Sequence, residues 1–130
     1  MGKNYLIDTN VIIDFANNKL PKHSIVFLAE IIDYEPKISI INKIELLGFT
    51  NTTKPIIAFV KASLIYDLDD TIVNKTIELR KNHKIKLPDA IIASTAIVHK
   101  LTLITHNLND FKNIKNLKVM DSYSLKKEIV

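Results

Sequence analysis

Four acids stand where apolar runs of the chain give out. Asp8 ends "YLID", Glu45 follows "KISIIN", Asp89 opens "PDAIIASTAIVHK", and Asp110 follows "LTLIT" with Asn107 just before it. Each has an ordinary structural reading. Asp8 or Thr9 can cap a helix. Glu45, three residues after Asn42, can be the reciprocal arm of a capping box. Asp89 suits the first turn of a helix, where the dipole favours an anion. Asn107 suits a turn. As a set they ask for more, because carboxylates gathered at one place repel and resist ionisation unless a cation joins them. Hard oxygen ligands without cysteine or paired histidines suit magnesium or manganese. The chemistry of such a site is charge neutralisation and activation of a bound water.

The elements that must position these acids alternate along the chain. Tyr5–Asp8 reads as a buried strand, Asn10 to about Asn18 as a helix, and His23–Tyr34 as a second helix with apolar residues at helical spacing. Lys37–Asn42 reads as the second strand, rich in β-branched residues, followed by a helix that holds Glu45 in its first turn. Asn51–Ser63 reads as a helix with Pro55 near its start, and Ile65–Leu68 as a short strand. A helix opened by Asp69 or Asp70, a helix from Leu87, the strand Leu101–Thr105 and the strand Leu117–Asp121 complete the order. Strands separated by helices favour right-handed crossovers and a parallel sheet with helices on both faces. The expected fold is therefore α/β. Ligands of such sheets bind beyond the carboxyl ends of the strands. A parallel sheet brings Asp8, Glu45 and the 107–110 segment to one edge, and Asp89 joins them if its helix starts there.

Bulk properties narrow the classes. The chain has 130 residues, 47 % hydrophobic and 25 % charged, which suits one globular domain over residues 1–130. No apolar run approaches the ~20 residues of a membrane span, and no signal peptide is evident. The absence of cysteine excludes disulfides and thiolate metal sites and fits a reducing, cytoplasmic setting. Two glycines give no phosphate-cradling loop. The net charge of +4, carried by lysine except for Arg80, is compatible with a polyanionic partner.

The pieces "LIDTNVIID", "ISIINKIELLGF", "LPDAIIASTAIVHKLTLITHNLNDF" and "LKVMD", in that order and spacing, resemble the PIN-domain ribonucleases, and most of all the VapC toxins of bacterial and archaeal toxin–antitoxin pairs. The resemblance covers nearly the whole chain. It implies a three-layer α/β sandwich with a central parallel sheet, divalent metal held by acids, and hydrolysis of RNA phosphodiesters. Residue by residue it implies that Asp8, Glu45 and Asp89 are the acids of the motif. The fourth position falls in "THNLNDF", where Asn107 is a neutral amide and Asp110 an acid. Asp8 and Asp89 are expected to be the principal metal ligands, Glu45 a ligand or the group that deprotonates the attacking water, and Asn107 or Asp110 the completion of the shell. Thr9 and Asn10 match the family's polar pair, with the Thr9 hydroxyl orienting Asp8 or a metal-bound water.

Arg80, Lys81, Lys84 and Lys86 precede Asp89 and are candidate contacts for RNA phosphates, or the solvated end of a helix. His106 is either a phosphate contact or an exposed neighbour of the site. No aromatic cluster interrupts the basic segment, so base preference is not legible there. The resemblance further implies a homodimer and a small antitoxin of the VapB type, with helices 23–34 and 54–63 as its groove or as core. Two other classes compete. A non-catalytic PIN-like binding module predicts no metal binding. A metal-dependent DNA nuclease differs only in surface shape and 2′-hydroxyl contacts. A haloacid-dehalogenase-type phosphatase is disfavoured, since it needs a second Asp two residues after Asp8, where Asn10 stands.

Overall fold

The computed structural model describes residues 4–126. Among these residues are five strands: β1 (Tyr5–Ile7), β2 (Lys37–Ser39), β3 (Leu64–Tyr66), β4 (Thr102–Thr105) and β5 (Lys118–Asp121). Six α-helices connect them: α1 (Thr9–Ala16), α2 (Lys22–Tyr34), α3 (Ile40–Gly48), α4 (Lys54–Ala62), α5 (Asp70–Asn82) and α6 (Leu87–Val98). A 3-10 turn at Leu108–Phe111 follows β4. Every strand pairing is parallel, with Leu6 opposite Leu103 and Thr105 opposite Asp121. The hydrogen-bonded ladders divide into β1-β4-β5 and β2-β3, with β1 packed beside β2.

The period-2 alternation of the strands makes the three layers. Leu6 and Leu103 point into one core with Leu79, Ile92, Ala93 and Ala96 of α5 and α6. Their neighbours Ile7 and Ile104 point into the other core with Val11, Leu28, Ile56 and Val60 of α1, α2 and α4. Helix α6 is buried from Ala90 to Ala96, which explains why its sequence is apolar all round rather than striped. Its hydroxyls are satisfied within the helices: Thr95 Oγ1 donates to the Ile91 carbonyl at 2.8 Å, and Thr76 of α5 donates across to Ser94 at 3.1 Å. The edge strands β3 and β5 remain partly exposed, unlike the doubly covered β1, β2 and β4.

One boundary differs from the sequence reading in a way that moves a site residue. Strand β2 stops at Ser39, and Ile40 and Ile41 are already helical. Asn42 Nα donates to Ser39 Oγ at 3.2 Å, and Ser39 Nα donates to Asn42 Oδ1 at 2.9 Å. This capping box outweighs the β-branched preference of "ISII". Asn42 is thus the third residue of α3, and Glu45 lies in its second turn rather than its first. The reciprocal capping arm open to Glu45 in its structural reading belongs to Asn42 instead. Asp69 caps α5, as its sequence signals, by accepting from Ile72 Nα.

Candidate active site

The carboxyl ends of the strands lie at one edge of the sheet, and the acids gather there. Asp8 sits directly after β1, only 5 % exposed. It is the N-cap of α1, so its structural reading holds, but the cap accounts for one of its bonds only. Oδ1 accepts from Thr9 Nα at 2.9 Å and from Asn42 Nδ2 at 3.3 Å. Oδ2 accepts from Asn10 Nδ2 at 3.0 Å and from Thr105 Oγ1 at 2.8 Å. Burial pushes the Asp8 carboxyl up, against these four bonds, which pull it down.

Asp89, in the first turn of α6, is strongly perturbed. Partial burial, then the nearby charges of Asp110, Asp8 and Glu45, raise it from its ordinary 3.8 to about 6, while Lys86 alone pulls the other way. The four acids therefore share one field, drawn from β1, α3, α6 and the turn after β4. Asn107 is exposed beside them, its Nα donating to Thr105 Oγ1 at 3.1 Å.

Thr9 and Asn10 do connect the site, in a different arrangement from the expected one. The Thr9 hydroxyl donates to Glu45 Oε1 at 2.6 Å and accepts from Asn42 Nδ2 at 3.0 Å. It therefore orients Glu45, while only the Thr9 backbone serves Asp8. Asn10 bridges Asp8 to His106, accepting from His106 Nα at 3.0 Å. Lys86 lies close enough to act on Asp89. Arg80, Lys81 and Lys84 are exposed, and among the described residues none of them pairs with a site acid.

Two residues position Asp8 in a way the sequence does not signal. Asn42 is fully buried and serves Ser39, Asp8 and Thr9 at once. Its sequence signals a helix start, not a partner for Asp8. Thr105, also fully buried, links Asp8 to Asn107. A hydroxyl closing "LTLIT" is ordinary in a strand, and nothing local ties it to Asp8. The remaining histidines are structural: His23 Nε2 lies 3.3 Å from the Tyr123 carbonyl, His83 bridges the carbonyls of Leu79 and Asn113, and His99 stacks on Tyr66.

The donor set fits a hard divalent cation. Among the described residues, the Asp89 and Asp110 side chains have no hydrogen-bond donor, and Lys86 is the cation that acts on Asp89 against three acids. A carboxylate offers about four lone-pair positions, and Asp8 has all four engaged. An ion bound directly to Asp8 would displace a donor, and the Asn42 contact at 3.3 Å is the longest. Among the described residues, no three acids or histidines are close enough to close on a single ion as they stand.

On the opposite side of α1 an apolar cleft of about 440 Å³ opens between α1, α2 and α4, lined among others by Phe15, Leu28, Ile32, Ile56 and Phe59. Helices 23–34 and 54–63 thus form a groove as well as core.

Solved structures similar to this chain include toxin–antitoxin complexes. VapBC2 from Rickettsia felis, bound to a promoter DNA fragment, is 27 % identical with a TM-score of 0.74, over 90 % of this chain and 97 % of that one. A toxin–antitoxin complex from Klebsiella pneumoniae is 29 % identical with a TM-score of 0.70, over 93 % and 99 %. VapBC-1 from nontypeable Haemophilus influenzae is 26 % identical with a TM-score of 0.72, over 92 % and 98 %. No curated protein sequence matches the chain significantly. The family model for the PIN domain matches residues 5–117, from the first residue of β1 to the approach of β5 and across all four acids. With the parallel sheet and the acid-lined edge, that match makes this chain a member of the PIN-domain family.

Proposed function

We propose that this chain, as a single domain over residues 1–130, is a divalent-metal-dependent endoribonuclease and the toxin of a toxin–antitoxin pair. The observation that carries the reading is the convergence of Asp8, Glu45, Asp89 and Asp110 on one edge, with Asp89 raised to about 6 by partial burial and then by the charges of the other three. Asp8, Asp89 and the Asn107–Asp110 turn would hold magnesium or manganese. A bound ion supplies charge neutralisation at the phosphodiester and a water of lowered pKa. Glu45, held by the Thr9 hydroxyl, would receive the proton of the attacking water. Lys86 is the cation nearest to a substrate phosphate entering beside Asp89, and the exposed Arg80, Lys81 and Lys84 add long-range attraction.

The likeness to VapBC complexes supports a VapB-type antitoxin as partner, and the apolar cleft between α1, α2 and α4 is where a segment with apolar anchors would seat. The homodimer follows from the resemblance. Among the described residues no helix is long and apolar enough to cross a membrane, and the reading puts the chain in the cytoplasm with its RNA substrate. Cleavage of total RNA in magnesium, in manganese and in excess chelator tests the proposal. Discrete fragments with either metal and none in chelator are expected. Equal cleavage in chelator, or cutting of single-stranded DNA but not RNA, defeats it.

A further inference from the structure

His106, directly after β4, is held on three sides. Its backbone Nα donates to Asn10 Oδ1 at 3.0 Å, its ring Nδ1 lies 3.1 Å from Asp121 Oδ1, and its ring stacks on Tyr123 with centroids 4.1 Å apart and planes tilted by 36°. Tyr123 is fixed in turn. Its Nα donates to Asp121 Oδ1 at 3.1 Å, and its phenol donates to Asp14 Oδ2 at 3.2 Å. Despite these restraints the His106 side chain remains 49 % exposed. One ring face is covered by Tyr123 and one edge by Asp121, so the exposed part is the opposite face with the Nε2 edge. A flat ring is thus fixed in place and open on one side, on a residue whose backbone Asn10 ties to Asp8.

A rigid ring of this kind suits a nucleobase, whose π-face any base presents. A phosphate suits it less, because the carboxylates of Asp121 and Asp14 flank the pair and repel an anion. We propose that the His106–Tyr123 pair is a shelf on which an unpaired RNA base stacks beside the scissile phosphate. The proposal rests on the ribonuclease reading above and adds the placement of the substrate. A shelf that takes a splayed base selects single-stranded loops or ends over paired RNA, where bases stay stacked in the helix.

The test is binding of a short single-stranded RNA carrying 2-aminopurine, in magnesium, to chains that also carry Asp89→Asn to suppress cutting. Stacking quenches the probe. His106→Ala should raise Kd roughly tenfold and abolish the quenching. His106→Phe, which keeps a ring and drops both nitrogens, should bind within about twofold of the parent. A duplex of the same sequence should bind equally to all three. Unchanged Kd and quenching with His106→Ala, even with a lowered Tm, overturns the shelf and makes the pair a purely structural tie. Phe as weak as Ala also overturns stacking, in favour of a polar contact. Failure of the ribonuclease reading looks different: the chain without Asp89→Asn would then leave RNA intact in magnesium whatever stands at position 106.

Discussion

Thr9 Oγ1 donates to Glu45 Oε1 at 2.6 Å, across 36 residues of sequence. The bond joins the first turn of α1 to the second turn of α3 and fixes an exposed glutamate that would otherwise sample many rotamers. Thr9→Val keeps the shape and removes the hydroxyl. Cleavage should fall roughly tenfold or more, as for other residues that orient a site, with stability lowered by only about 1 kcal/mol. Thr9→Ser should restore the rate. Equal rates for Val and Ser would show that Glu45 needs no such orientation.

Asn42 has more at stake, because it is buried and serves three partners. Asn42→Ala removes only the reciprocal arm of the α3 capping box, since the Ser39 hydroxyl still accepts from the backbone of residue 42. It thereby leaves Ser39 Nα without its partner, at a cost of about 1–3 kcal/mol. Thermal unfolding should drop by several degrees, and cleavage by about 10- to 100-fold. A Tm within a degree of wild type would contradict the network.

Asp89 governs the pH response of the metal-free chain. Its folded value of about 6 lies above the ordinary 3.8, so the folded state holds its proton more firmly than the unfolded one. The stability it contributes is fully present below about pH 3.8 and is lost as the pH rises through about 6. Burial moves Asp8 in the same direction. In chelator, Tm should therefore fall across this window, and Asp89→Asn should flatten the fall. Magnesium competes with protons for the same oxygens, so its stabilisation should grow from pH 5 to pH 8. A magnesium shift independent of pH would detach the metal from these acids.

Asp8→Asn separates harm from folding. An amide still caps α1, and capping alone predicts a stability change of about 1 kcal/mol or less. The structure raises that expectation. One oxygen becomes an NH2 that faces former donors, and the loss should reach about 1–2 kcal/mol even though Thr105 can rotate to accept. The variant should still fold. Induced alone in bacteria, the wild-type chain should arrest growth with discrete RNA fragments, and the Asp8→Asn chain should accumulate without arrest. Arrest by both forms without fragments would mean that Asp8 is only a structural cap.

The sequence by itself determined the order of elements, the parallel α/β class and the positions of Asp8 and Asp89. These are local properties. A strand of alternating faces, a capping acid such as Asp69, and a proline near the start of α6 each leave a signature within a few residues. The run "ISII" defeated local reading, because β-branched side chains point to a strand while Ser39 and Asn42 close a capping box two residues sooner than the apolar run ends. The tertiary structure alone decided which polar groups serve which acid. Thr105 reaches Asp8 across 97 residues, Asn42 across 34, and Tyr123 reaches Asp14 across 109. Such bonds depend on parallel strands ending in register, and a hydroxyl or amide that closes one strand looks alike in sequence whether it meets water or a buried carboxylate.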